Sequence, residues 1–151
     1  MSSLGIRATT TAVFIAVYCN KNSAILNVEQ IKIPKALSTP IALKFIRSSV
    51  LDIMREYKIK AACIRVTEAI GSLYISRIQI EGVIQEAFAS SDLEKYCVGN
   101  IASISKLNNF KRDRFKPMVQ DGFNDLNIDN WENHKKEERE AILAAIGANH
   151  A

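Results

Sequence analysis

The residues best equipped for chemistry fall in two runs of charge. The stretch KLNNFKRDRFKP sets Lys106, Lys111, Arg112, Arg114 and Lys116 around Phe110 and Phe115. Basic side chains neutralise phosphates and aromatic rings stack on bases, so this mixture suits nucleic acid; it equally suits a flexible, solubilising loop. The run HKKEEREAILAAI carries Glu137 and Glu140 among Lys135, Lys136, Glu138 and Arg139, and on these residues alone it reads as a solvated helix face with i, i+4 ion pairs. Two arginines stand instead inside apolar runs: Arg7 in LGIRATTTAVFIAVY and Arg65 in AACIRV. His134 and His150 are too few and too isolated for a metal site. Nothing places a nucleophile beside either histidine, and the six glycines form neither a GxGxxG nor a P-loop.

The bulk composition narrows the setting for these residues. With 48% hydrophobic and 24% charged residues the chain is globular in character, and its 151 residues suit one domain spanning 1–151. No apolar run approaches the roughly 20 residues needed to cross a bilayer, so no membrane partner is expected. The N-terminal stretch lacks the pattern of a secretory signal. Cys19, Cys63 and Cys97 lie far apart in strand-like runs, which suits buried reduced thiols and a cytoplasmic location. The net charge of +4 permits attraction to a polyanion without demanding it.

The elements that must position the charges can be read in order. TTTAVFIAVYC, the polar turn NKN and SAILNVEQIKI predict a hairpin or three-stranded meander, which LGIRA either precedes or begins. Ser38, Thr39 and Pro40 start a helix over about 39–58, with Phe45, Ile46, Val50 and Ile53 in helical spacing. AACIRV predicts a central strand, and IGSLYISRIQIEGVIQEAFASS a helix buried deeply against the sheet. KYCVGNI predicts another strand and SISKLNNF a short helix. A long loop is expected at about 107–129, where Pro117, Gly122 and many turn formers show no periodicity. A last helix is expected to begin at Asn130, with Trp131 and Glu132 in its first turn, and to stop at Gly147. The order β-β-β-α-β-α-β-α-α predicts an α/β fold built on a mixed sheet flanked by helices.

Three phrases in this order resemble the ribonuclease H-like superfamily, specifically the RuvC-type Holliday-junction resolvases. LGIRATTTAVFIAVY is similar to the family's opening LGIDPG followed by a hydrophobic strand. ACIRVTEAIGSLYISRIQIEGVIQEAF resembles its strand ending in an acid and the following helix with a Gly-Val pair, here Gly82 and Val83. EEREAILAAI resembles its final helix, with two acids three apart before alanines.

The resemblance implies a ribonuclease H-like fold and, in the family, four carboxylates that hold two divalent metals for phosphodiester hydrolysis. Carried over by position, those carboxylates fall on Arg7, Arg65, Glu137 and Glu140. A guanidinium stays protonated and cannot ligate a cation. The expectation is therefore a catalytically degenerate domain, without cofactor, that acts as a binding or assembly module for DNA or RNA. Arg7 and Arg65 are expected side by side on adjacent strands, paired with Glu137 and Glu140. Glu68, three residues beyond Arg65, supports the alternative of a Mg²⁺- or Mn²⁺-dependent nuclease with an altered carboxylate site. A second alternative is a module that binds only a protein partner, including a homodimer formed through the apolar excess of residues 70–89.

Overall fold

The computed structural model describes residues 1–68 and 74–151. The chain runs β1 (Ser2–Ala8), β2 (Ala12–Cys19), β3 (Ala24–Lys32), α1 (Thr39–Glu56), β4 (Ala61–Arg65), α2 (Ile75–Ala89), β5 (Lys95–Gly99), α3 (Ile101–Leu107), α4 (Phe115–Asp121) and α5 (Lys136–Ala148). Five strands form a mixed sheet in the order β3-β2-β1-β4-β5. The first three pair antiparallel, while β1–β4 and β4–β5 pair parallel, the latter joined by the α2 crossover. The fold class is α/β, as the order of elements predicted. The opening three strands are the meander: Thr9 Oγ1 accepts from the N–H groups of Thr11 and Ala12 and tightens its first turn.

Alternation along β1 decides what faces what. Leu4 and Ile6 point to the layer of α1 and α2, where they join Val13, Ile15, Val50 and Ile84 in one core. Ser3, Gly5 and Arg7 face α5. Ser3 Oγ donates to the Ala145 carbonyl at 2.6 Å. A Cβ on Gly5 would sit 1.9 Å from the Ala141 oxygen and 2.2 Å from the Ala145 nitrogen, so only glycine admits the helix backbone this close. The second core surrounds α5, whose Ala141, Ile142, Leu143, Ala144 and Ala145 are wholly buried between the sheet and a cover of α3, α4 and Trp131.

Several expectations are corrected here. The stretch 107–129 is not one long loop: it contains a 3-10 turn at Arg112–Arg114 and then α4. Pro117 lies in the first turn of α4, where a missing N–H costs no helical bond, and Gly122 ends the helix at φ 79°. Phe115, Met118 and Val119 hold this short helix against α5 through burial that no local periodicity reveals. Asn130 does not cap the last helix but adopts a left-handed conformation at φ 60°, and Trp131–Asn133 form a separate 3-10 turn. Helix α5 begins at Lys136, with Glu138 Oε1 accepting from the Lys135 N–H at 2.7 Å, and runs through Gly147 to Ala148. The expected deeply buried helix around residues 70–91 is described from Ile75 onward, with residues 69–73 outside the described set. It is buried on one side only, because α1 and the sheet cover a single flank and leave Ile75 76% and Ile78 45% exposed. Among the described residues no helix is long and apolar enough to cross a membrane.

Candidate functional site

Parallel register sets Arg7 directly beside Arg65 at the C-terminal ends of β1 and β4. Period-2 alternation turns both side chains toward α5, whose backbone lies close enough over Gly5 to bring Glu140 between them. Glu140 Oε2 lies 3.0 Å from Arg7 Nε and 3.2 Å from Arg65 Nε. All three residues are buried. Arg7 Nη1 also donates to the Arg65 carbonyl at 3.0 Å, and the Arg65 guanidinium stacks over the Phe115 ring at 5.5 Å.

Further charges complete this end of the sheet. Arg65 Nη1 lies 3.7 Å from Glu68 Oε1, which in turn accepts from the Ile101 N–H at the start of α3. Arg77 donates to the Ala8 carbonyl and lies 3.8 Å from Glu81. Glu81 Oε2 accepts from the N–H and hydroxyl of Thr67. Three guanidiniums thus alternate with three carboxylates. Burial pushes the Arg7 pKa down to about 10, opposed by Glu140 and assisted by the Arg65 charge. The Arg65 pKa is lowered for the same leading reason, with Glu140 opposing.

Arg7, Arg65, Glu68 and Glu140 therefore meet, and Glu137 does not join them. It lies half-buried near the start of α5, with no ion pair among the described residues, because Glu140 alone sits at the level where α5 crosses the two arginines. Sequence reading missed Arg77, Glu81 and Thr67. The signal for Arg77 and Glu81 was an opposite-charge pair four residues apart in the first half of a helix rich in isoleucine.

The divalent metals that the resemblance implies do not fit this arrangement. Two of the four carried-over positions present guanidiniums, and Glu140 directs one carboxylate oxygen at both of them. A cation there would meet two fixed positive charges before it met a free carboxylate. Among the described residues, no group of three or more His, Cys, Asp or Glu could hold a metal ion.

Beside this cluster, through the Arg65–Phe115 contact, runs the basic stretch. Lys106, Lys111, Arg112 and Lys116 are exposed. Arg114 is held by Asp125 in a two-point contact of 2.7 and 3.0 Å. The expected stacking role of Phe115 is corrected: it is 1% exposed in the core around α5, and Phe110 packs half-buried beside it with ring centroids 6.5 Å apart. Phe115 therefore offers no face to a base, while Phe110 keeps part of its surface exposed.

Against solved structures, the chain superposes on RuvC of Thermus thermophilus with a TM-score of 0.73, covering 99% of this chain and 94% of that one at 14% identity. The same protein in complex with a Holliday-junction substrate matches with the same TM-score and coverages at 13% identity. The fold is of the RuvC type. It is the ribonuclease H-like architecture that the three phrases predicted. No protein-family model matches the chain, and no curated protein matches it in sequence. At such identity the RuvC-type likeness is one of fold, and the chemistry must be argued from the residues.

Proposed function

We propose that this protein is a catalytically inactive RuvC-type domain that binds nucleic acid through the surface around its former metal site. The observation that carries the reading is Glu140 held between Arg7 and Arg65. A carboxylate shared by two buried guanidiniums supplies structure where hydrolysis would need open metal ligands. Lys106, Lys111, Arg112 and Lys116 stand exposed in the stretch whose Phe115 lies against Arg65, and are free to contact phosphates. The Thermus RuvC with the same fold is captured on a four-way junction, which makes branched DNA the first ligand to test.

The test is fluorescence anisotropy of labelled single strand, duplex, four-way junction and RNA, titrated at two salt concentrations in EDTA. Salt-sensitive binding with a preference for one shape supports the reading. Absence of binding to all four overturns it.

A second reading concerns assembly. Tyr74 at the N-cap of α2, with Ile75 and Ile78 in its first turns, exposes apolar surface, as do Ile41 and Phe45 on α1, and this favours a homodimer through the α1–α2 layer. Elution as a monomer at micromolar concentration would contradict it.

A further inference from the structure

Two of the three free cysteines meet across the parallel pair β4–β5. Cys63 and Cys97 are direct register partners, and paired residues of a ladder turn their side chains to the same face. That face is the α5 side, where Cys63 belongs to the core and Cys97 packs against it. Neighbouring strands lie about 4.8 Å apart, inside the Cα window of roughly 4.4–6.8 Å that a disulfide spans. The Cys63 sulfur already leans toward β5. A Cβ on Gly99, two residues beyond Cys97, would stand 3.3 Å from it, so the missing side chain leaves that sulfur room.

The two thiols differ in exposure and in acidity. Cys63 is 0% exposed, whereas Cys97 is half-buried on an edge strand. Hydrogen bonding with the Cys63 thiol lowers the Cys97 pKa, opposed by burial and assisted by the Lys95 charge. The Cys63 pKa is raised by the same contact and by its own burial. A thiolate therefore forms first at Cys97, the sulfur a reagent can reach, with an undissociated thiol beside it. Cys19 stands apart at the end of β2, with Ser2 and Ala24 as its register partners.

We propose that Cys63 and Cys97 form a hydroperoxide-responsive dithiol, in which Cys97 is oxidised and Cys63 resolves it into a disulfide across β4 and β5. The Cys97 thiolate attacks one peroxide oxygen, the O–O bond breaks, and the hydroxide that leaves takes up the proton Cys97 released, giving water and a sulfenic acid. The Cys63 sulfur then attacks the Cys97 sulfur, the S–O bond breaks, and hydroxide departs as water with the Cys63 proton. Two thiols give up two electrons and two protons, and hydrogen peroxide becomes two waters. As an edge strand with a single neighbour, β5 can make the small shift that closing the bond requires. The inference does not rest on the basic surface binding nucleic acid, and either can fail without the other.

The test is treatment of the full chain with equimolar hydrogen peroxide, followed by mass spectrometry of a non-reduced tryptic digest. The expected product joins the peptide Ala61–Arg65 to the peptide Tyr96–Lys106 with the loss of two hydrogens, and dithiothreitol separates them. Cys63→Ala should leave Cys97 as a sulfenic acid that dimedone labels several-fold more than in the wild type. Cys97→Ser should leave Cys63 unoxidised, and Cys19→Ser should leave the crosslink unchanged. Three unmodified cysteines in the wild type, Cys97 carried to sulfinic acid without a disulfide, a disulfide that uses Cys19 or joins two copies of the chain, or oxidation of Cys63 in the Cys97→Ser variant would each overturn the proposal.

Discussion

Two groups of basic residues lie next to one another in this protein, and burial separates their roles. Arg7 and Arg65 sit inside the fold, are neutralised by Glu140, and have their charge penalised strongly enough to pull the Arg7 pKa to about 10. Lys106, Lys111, Arg112 and Lys116 stand in water with nothing to neutralise them at close range among the described residues. The first group has its charge countered within the chain; the second is free to interact with a partner. Phe115 marks the boundary, since its ring supports Arg65 from beneath while its neighbours in sequence face solvent.

That contrast can be broken in order of expected effect. Glu140→Ala leaves two buried guanidiniums without their shared counter-charge and is expected to cost about 3–5 kcal/mol, read as a lower urea midpoint. Combining Arg7→Met, Arg65→Met and Glu140→Leu removes the buried charges together. The same measurement should then show stability unchanged or raised by about 1–4 kcal/mol, because no buried ion is left unpaired and Glu68, which loses Arg65, keeps the Ile101 N–H and its contact with water.

On the exposed side, the combined Lys111→Ala, Arg112→Ala and Lys116→Ala variant should keep the wild-type melting temperature. It should weaken junction binding and flatten the salt dependence by roughly 2–3 in the slope of log affinity against log salt. Loss of stability instead of affinity would erase the distinction between the two groups.

The smallest effect is on pH. Arg7 binds fewer protons in the folded chain than in the unfolded chain from about pH 10 up to the ordinary arginine range, and Arg65 is shifted the same way. The cost of burying these charges is full below pH 10 and is relieved as pH rises through that window. Urea unfolding at pH 9 and pH 11 should therefore show the wild type gaining relative to the triple apolar variant.

How much of this was legible beforehand depends on the range of the interaction. The meander, α1 and the buried strand β4 declare themselves through local pattern, and the position of Arg7 beside Arg65 follows from two strands with matching phrases. The choice of Glu140 over Glu137 was not legible. It is set by where α5 docks on Gly5, a contact between residues 5 and 141–145 that no window of sequence contains. Helix α4 was hidden for a related reason. Seven residues with a proline among them have little intrinsic helical stability, and their burial against α5 supplies the rest. Phe115 looked like a stacking residue because interleaved aromatics have the same pattern whether they face a base or a core.

The central claim is a nucleic-acid-binding surface beside a charge cluster that excludes catalytic metal. It is tested most directly by following the anisotropy of a labelled four-way junction over time with the protein, in EDTA and again in Mn²⁺. The account predicts binding of equal affinity in both buffers and a signal that stays constant for hours. No binding in either buffer, or a signal that decays in Mn²⁺ as the junction is cut, would contradict it.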